Sequence, residues 1–320
     1  MSSVMAFVMD PIDAVSVDED TTFALMLEAQ KRGHEVLYVD PADLGVSEGR
    51  TVARVTPVTL RREHGNHVDL GPSRRAVLDE EIDVAFQRKD PPVDGAYITA
   101  TQLLELCRRT VVLNDPRAIV SFNEKIFTIR YADLMPETIV TRHAAEIRAF
   151  QQKMGGHVIV KPLDGKGGEG IFQVVDGDPN VGSILEQATG FDTKWAMAQQ
   201  FVPEVSQGDK RILLLEGEPL GAVLRVPADG NVRANLHVGG RATKTEITAA
   251  DRKIIDRVGP DLRERGLFFV GIDVIGGKLT EINVTSPTGL QEIDRLDGVH
   301  IEEQVIARAE ELARGRGGPG

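Results

Sequence analysis

The chain has 320 residues, of which 41% are hydrophobic and only 5% aromatic, and its formal net charge is −12. That length allows about two domains or one large composite. The acidic balance and the shortage of aromatics exclude nucleic acid and an acidic membrane as main partners, but they leave room for anionic small molecules held by a local cluster of Arg, Lys and backbone N–H groups.

Cys107 is the single cysteine and cannot form an internal disulfide. No signal-peptide pattern and no apolar run of membrane length is present, so the sequence predicts a soluble, cytoplasmic protein.

Val4–Met9 reads as a short apolar strand ending at Asp10-Pro11. Thr21 or Thr22 can cap a helix through Arg32, stopped by Gly33. Strands are predicted at Glu35–Val39, Ile82–Phe86 and Val111–Leu113, with a helix from Gly95 to Arg109 that carries Cys107 as a buried structural thiol. Alternating strands and helices predict an α/β unit with a parallel sheet. No G-x-G-x-x-G follows the first strand, so a dinucleotide fingerprint is absent. Arg50–Arg75 shows no clear periodicity and reads as an irregular or hairpin insertion.

A boundary is expected near Asn114-Asp115-Pro116. Ser121-Phe122-Asn123-Glu124 has the spacing of a capping box opening a helix from Lys125 to Leu134. Strands at Glu137–Val140, Val158–Lys161 and Ile171–Val175 suggest a small α+β lid. Beyond Phe201-Val202-Pro203 come strands at Arg211–Glu216 and Leu220–Val226, a loop to Lys244 and a helix over Ala249–Glu264. A hairpin at Phe268–Val284 and a helix at Ile301–Ala313 follow. Gly315 onward reads as a frayed tail.

Three constellations carry chemistry. In the hairpin, Glu281 and Asn283 are two residues apart and share a strand face. A two-residue loop turns Asp273 to the other face. A three-residue loop, Gly276–Lys278, places it opposite Glu281 and brings three side-chain oxygens together, a donor set suited to a hard cation such as Mg²⁺. The competing reading is an exposed polar edge.

Second, Lys161 ends a strand that leads into Gly165-Lys166-Gly167-Gly168-Glu169-Gly170. Four glycines there permit a backbone that can approach phosphate oxygens. The pattern is not a Walker A loop, and an ordinary glycine-rich hairpin explains it equally well. Lys125 on the preceding segment adds a second cation.

Third, Arg88, Lys89, Arg211, Arg225, Arg233 and Arg241 lie in loops or at strand ends. Arg88 and Lys89 follow the carboxyl end of a strand, where open α/β sheets bind ligands. Arg forks suit carboxylates. Asn231–Gly240 reads as a substrate-covering loop.

Together, the ordered segments Val4-Met5-Ala6-Phe7-Val8-Met9-Asp10-Pro11, Arg88-Lys89-Asp90-Pro91-Pro92, Asn123-Glu124-Lys125, Lys161-Pro162-Leu163-Asp164-Gly165, Gly208-Asp209-Lys210-Arg211, Gly239-Gly240-Arg241 and Glu281-Ile282-Asn283-Val284-Thr285-Ser286-Pro287-Thr288 resemble bacterial glutathione synthetase, within the ATP-grasp ligases. Past Thr288, Gly289 and Gln291 depart from the bulkier residue and the Arg that some members carry.

The resemblance implies an ATP-grasp fold with an N-terminal Rossmann-like pre-ATP-grasp domain. It implies a substrate domain at 1–120, a lid at 121–202, a C-terminal subdomain with the metal and substrate loops at 203–314, and a tail at 315–320. It implies ligation of γ-glutamylcysteine and glycine through an acyl phosphate, with ATP as co-substrate and two Mg²⁺ ions, for which Mn²⁺ can substitute. It also implies a homo-oligomer, a homotetramer.

By the same resemblance, Lys125, Lys161, Gly165, Gly167, Gly168, Gln199, Gln200, Phe201, Val202 and Asp209 would bind ATP. Asp273, Glu281 and Asn283 would hold the metal. Arg211, Arg225, Arg233 and Gly240 would act at the acyl phosphate, and Arg88 and Ser286 would join the arginines in binding the peptide. Two rivals are an ATP-grasp ligase with another donor or acceptor, and a non-catalytic nucleotide or peptide sensor on the same scaffold. The intact acidic set disfavours the sensor.

Overall fold

The computed structural model describes residues 2–165, 168–228 and 239–316. In chain order the first strands and helices are β1 (Val4–Val8), α1 (Thr21–Lys31), β2 (Glu35–Val39), β3 (Leu44–Ser47), β4 (Arg50–Leu60), β5 (Val68–Leu70), β6 (Arg74–Val77), α2 (Leu78–Glu81), β7 (Val84–Gln87), α3 (Gly95–Glu105) and β8 (Val111–Leu113). Then follow α4 (Pro116–Ser121), β9 (Thr138–Thr141), α5 (Ala144–Lys153), β10 (His157–Pro162), β11 (Phe172–Val175), α6 (Val181–Thr189) and β12 (Ala196–Gln200). The rest is β13 (Asp209–Leu215), β14 (Glu218–Val226), β15 (Arg241–Lys244), α7 (Ala249–Glu264), β16 (Phe269–Ile275), β17 (Lys278–Asn283), α8 (Leu290–Asp297) and α9 (Ile301–Arg316).

Three sheets result. The first runs β3-β4-β2-β1-β7-β8, with β5 and β6 both paired to β4. Its β2, β1, β7 and β8 are parallel, as the alternating strands and helices predict. Successive side chains of β1 point to opposite faces. Met5 and Phe7 enter a core with Phe23 and Leu25 of α1 and Val305 and Ile306 of α9, while Ala6 and Val8 meet Leu104 of α3. The last helix therefore covers the first sheet. It also ties the two ends of the chain, through an ion pair of Arg32 and a hydrogen bond of His34 with Glu310.

The second sheet, β11-β10-β12-β9, is antiparallel and covered by α5 and α6. The third, β15-β14-β13-β16-β17, packs one face on α7 and on a 3-10 segment, Phe127–Leu134.

Several local expectations are corrected. Residues 50–75 are mostly strand: β4 pairs with β2, β3, β5 and β6. The cap of α1 is Asp20, whose carboxylate accepts from Phe23 N at 2.7 Å, not Thr21 or Thr22. Ser121 ends α4 instead of opening a helix, and the stretch expected as a helix from Lys125 to Leu134 is a turn followed by the 3-10 segment Phe127–Leu134, kinked at Tyr131. Asn123 supplies the turn there, its Oδ1 accepting from Lys125 N and Ile126 N. Cys107 lies just past the end of α3 and is half-buried against the Ala6 side of the first sheet. Helix α9 runs on to Arg316, and residues 317–320 lie outside the described ones. Helices α5, α6 and α8 and strands β12 and β15 were not anticipated.

Candidate active site

The hairpin β16–β17 turns on Gly276 and Gly277, both at positive φ (56° and 73°), as a two-residue turn of that hand requires. Ile275 pairs with Lys278, so the expected three-residue loop is not formed. A bulge at Thr280 supplies the missing residue instead: Val274 pairs with Leu279, and Asp273 with Glu281. Thr280 Oγ1 donates to Asp273 O at 3.1 Å and pins the bulge. The expected juxtaposition of Asp273 and Glu281 thus exists, by another route.

Strand registry extends this row. Arg211 of β13 pairs with Asp273, which pairs with Glu281, and Asp209 pairs with Arg225 of β14. The row becomes a buried charge network. Arg211 Nε and Nη2 donate to Asp273 Oδ1 and Oδ2 at 2.5 and 2.9 Å. Arg225 Nη2 lies 3.0 Å from Asp273 Oδ2 and 2.6 Å from Asp209 Oδ2. Lys125 Nζ lies 3.1 Å from Glu281 Oε1 and donates to Gly165 O at 2.9 Å. Lys161 reaches in from β10, its Nζ 3.4 Å from Thr280 O.

Burial penalises the charged form of both hairpin carboxylates, yet opposite charges prevail there. Against that burial, Arg211 and Arg225 hold Asp273 well below the usual carboxylate range. Lys125 and Lys161 likewise lower Glu281. Burial dominates at Asp209, pushed up to about 6, and at Lys161, pulled below the usual ammonium range.

All these groups line one cavity of about 670 Å³ between the three sheets. Lys125, Lys161, Gly165, Gly168, Gln199, Gln200, Phe201, Val202 and Asp209 border it, as do Arg88, Arg211, Arg225, Ser286 and the trio Asp273, Glu281 and Asn283. Gln199 Nε2 is held by Thr138 Oγ1 at 3.1 Å, and Phe201 stacks on His157 at 3.7 Å between centroids. Gly240 precedes β15 and is not among the residues lining the cavity. Gly167 and Arg233, with most of Asn231–Gly240, lie outside the described residues.

Arg88 emerges from the carboxyl end of β7. Its Nε donates to Thr22 Oγ1 and its Nη2 to Pro287 O, each at 3.0 Å, and its guanidinium sits over the Phe269 ring. Lys89 turns aside to Asp10, at 2.7 Å. Burial pulls Arg88 down to about 10, which leaves it charged at neutral pH.

Sequence reasoning missed Glu124. Its Oε1 accepts from Val284 N, Thr285 N and Thr285 Oγ1 at 2.8, 3.1 and 3.0 Å. It therefore anchors the end of β17 beside Lys125. The capping-box spacing concealed that role. Thr21 and Glu292 also border the cavity; the sequence presents Thr21 only as a helix-cap candidate and Glu292 only as a polar residue.

Asp273, Glu281 and Asn283 present only oxygen donors that a cation could use, which suits a hard divalent ion completed by phosphate and water. Glu281 keeps 23% of its side chain exposed. Asp273 is less available, because Arg211 and Arg225 already engage both of its oxygens. Among the described residues no cluster of three or more His, Cys, Asp or Glu forms a ready-made metal cage. The donors thus fit an ion that arrives with phosphate ligands better than one bound by protein alone.

Residues 4–119 match the family model for the prokaryotic glutathione synthetase N-terminal domain, and residues 124–298 match that for its ATP-grasp domain. Glutathione synthetase of Mesorhizobium japonicum is 47% identical over 94% of this chain and 96% of its own length. That of Bradyrhizobium diazoefficiens is 48% identical over 94% and 96%. That of Vibrio parahaemolyticus is 43% identical over 97% and 99%. Among solved structures, D-cycloserine synthetase DcsG aligns with a TM-score of 0.66 at 14% identity, over 97% of this chain and 99% of that one. The ATP-grasp ligase PsnB aligns at 0.61 and 15% identity, over 98% of each chain. These two likenesses show a shared ATP-grasp fold.

Proposed function

The chain belongs to the prokaryotic glutathione synthetase family, and we propose on that premise that it joins γ-glutamylcysteine to glycine through an acyl phosphate, giving glutathione, ADP and phosphate. It is an ATP-dependent carboxylate–amine ligase. The observation that carries the reading is the row Arg211–Asp273–Glu281–Lys125, which sets two adjacent carboxylates between two cations along one wall of the cavity.

A free carboxylate is a poor acyl donor because it would have to expel oxide. Transfer of the γ-phosphoryl group from ATP to the cysteinyl carboxylate makes phosphate the leaving group. Lys125 and Lys161 are suited to neutralise the phosphates as charge shifts between them. Arg211 and Arg225, buried and already oriented by Asp273 and Asp209, are suited to hold the acyl phosphate oxygens. They can also stabilise the oxyanion formed when the glycine amine attacks the carbonyl. Desolvation in the cavity strengthens these interactions and protects the acyl phosphate from water. No protein nucleophile is needed.

Asp273, Glu281 and Asn283 would hold Mg²⁺, two ions on this reading with Mn²⁺ an acceptable substitute, supplying charge neutralisation of the phosphates. Gln199, Gln200, Phe201 and Val202 would form the adenine side. Arg88 and Ser286 would bind the peptide, and Arg233 and Gly240 would complete the acyl-phosphate site.

We infer three parts, 1–120, 121–202 and a third from 203 that runs past the expected limit at 314 to the end of α9 at Arg316; the separation of the three sheets along the chain supports this. We also infer a cytoplasmic homotetramer. No helix among the described residues is long and apolar enough to cross a membrane.

The decisive test is an assay with ATP, γ-glutamylcysteine and a panel of amino acids. Phosphate release should require both γ-glutamylcysteine and glycine, with the tripeptide identified by mass. Release that depends on neither substrate, or no release, overturns the proposal.

A further inference from the structure

Two polar atoms at the cavity end formed by α1 and α8 are buried without a hydrogen-bond partner among the described residues. Glu292, in the first turn of α8, is 3% exposed, and its Oε2 is unpartnered. Thr21, the first residue of α1, is 1% exposed, and its Oγ1 is unpartnered. Both residues line the cavity.

The segments that carry them are stitched together. Gln291 Nε2 donates to Val17 O and Asp20 O at 3.2 and 2.7 Å, and its Oε1 accepts from Arg62 Nη1 at 2.6 Å. Arg295 donates to Asp18 O, and its Nη2 also lies 3.4 Å from Glu292 Oε1. The side chains are therefore held in place, with Glu292 Oε2 and Thr21 Oγ1 left unpartnered.

Buried polar groups in folded proteins are almost always satisfied, so an orphaned pair on residues that border one cavity points to a binding role. A carboxylate accepts hydrogen bonds and favours positive charge, and a hydroxyl can accept as well. The fitting partner is an ammonium group. Burial raises the Glu292 carboxyl above its ordinary range even with Arg295 at its other oxygen. Arg88, buried at the same end beside Thr22, offers the opposite charge. An anion-accepting and a cation-accepting group together suit the zwitterionic head of an amino acid.

We propose that Glu292, assisted by Thr21 Oγ1, binds the α-ammonium of the γ-glutamyl residue while Arg88 takes its α-carboxylate. This rests on γ-glutamylcysteine being the acyl donor. Anchoring the head at this end leaves the reacting cysteinyl carboxylate free to reach Lys125, Arg211 and Arg225. Glu292 is then a specificity residue, not a catalytic one.

The test compares wild type, Glu292→Gln and Thr21→Val with two acyl donors, γ-glutamylcysteine and glutarylcysteine, which lacks only the α-ammonium. For γ-glutamylcysteine, Glu292→Gln should raise KM on the order of 30-fold with kcat within about threefold, since a charge-assisted hydrogen bond is lost. Thr21→Val should raise KM in the same direction by less. For glutarylcysteine, wild type and Glu292→Gln should share one KM. The ligand-free Tm of Glu292→Gln should stay level or rise, because an unsatisfied buried carboxylate is removed.

Equal KM increases for both donors, or a lowered Tm with a lowered kcat, would overturn the assignment while leaving the ligase reading intact. If Glu292→Gln does not fold, the Thr21→Val comparison decides by the same criterion. Wild type that fails to ligate γ-glutamylcysteine at all would overturn the substrate reading, and this inference with it.

Discussion

Arg211 and Asp273 face each other across neighbouring strands and are joined at two points, Nε to Oδ1 at 2.5 Å and Nη2 to Oδ2 at 2.9 Å. Both side chains are almost fully buried. The fork fixes the guanidinium in the plane of the carboxylate, so Arg211 is oriented before substrate arrives. It also means that a cation using Asp273 must share that carboxylate with Arg211 and Arg225.

Replacing Arg211 should separate charge from geometry. Arg211→Ala leaves Asp273 buried with Arg225 as its remaining cation and should lower unfolding free energy by about 3–5 kcal/mol, the usual loss when one partner of a buried pair is removed. Arg211→Lys keeps the charge but loses the fork, so its stability loss should be smaller. Turnover should fall on the order of 100-fold in both. Urea unfolding and steady-state kinetics read the two effects. Near-normal turnover in Arg211→Lys would show that the fork is not needed.

Glu281→Gln tests the hairpin carboxylates. The amide can still accept from Lys125, so the fold should survive with Tm within a few degrees of wild type. Turnover should drop on the order of 100-fold or more, because a neutral amide cannot supply the charge a divalent ion needs. Saturating Mg²⁺ should not restore it. A folded variant with near-wild-type turnover would remove Glu281 from the metal site.

Gly271 is neutral to the chemistry but sits under it. A Cβ there would lie 2.9 Å from Arg211 Cδ and 3.0 Å from Pro287 Cβ. Gly271→Ala should therefore displace the arginine and cost about 1–3 kcal/mol of overpacking. Activity should fall further than that stability loss explains at a temperature where the variant remains folded. Unchanged kinetics would show that Arg211 can shift without consequence.

Cys107 should be dispensable. Its thiol lies outside the cavity and burial pushes it up to about 11. Cys107→Ala should keep kcat/KM within about twofold and lose on the order of 1 kcal/mol of stability. In the wild type, alkylation should be slow at pH 8 and quicken as pH rises towards 11, because only the thiolate reacts. Inactivity of a folded Cys107→Ala protein would contradict a mechanism without a thiol.

The sequence by itself determined the pieces whose signals are local. Apolar runs bounded by turn residues located β1, β2, β8 and α7, because strand and helix periods are imposed by the backbone. Lys161 at a strand end, Arg88 after β7, and Glu281 and Asn283 two apart could be recognised because side-chain direction follows from spacing alone.

Only the tertiary structure decided the rest. Whether Asp273 opposes Glu281 depends on a bulge at Thr280 that no turn rule supplies. The strands at 50–77 form because β4 finds partners in β2, β3, β5 and β6, without a period of their own to announce them. Glu124 looks like a capping residue until the end of β17 arrives beside it, and Glu292 looks like an ordinary surface carboxylate until Gln291 fastens α8 against α1. For Glu124 and Glu292 the deciding partner lies far along the chain, and in every case the free energy that selects the arrangement belongs to the packed whole, not to any local pattern.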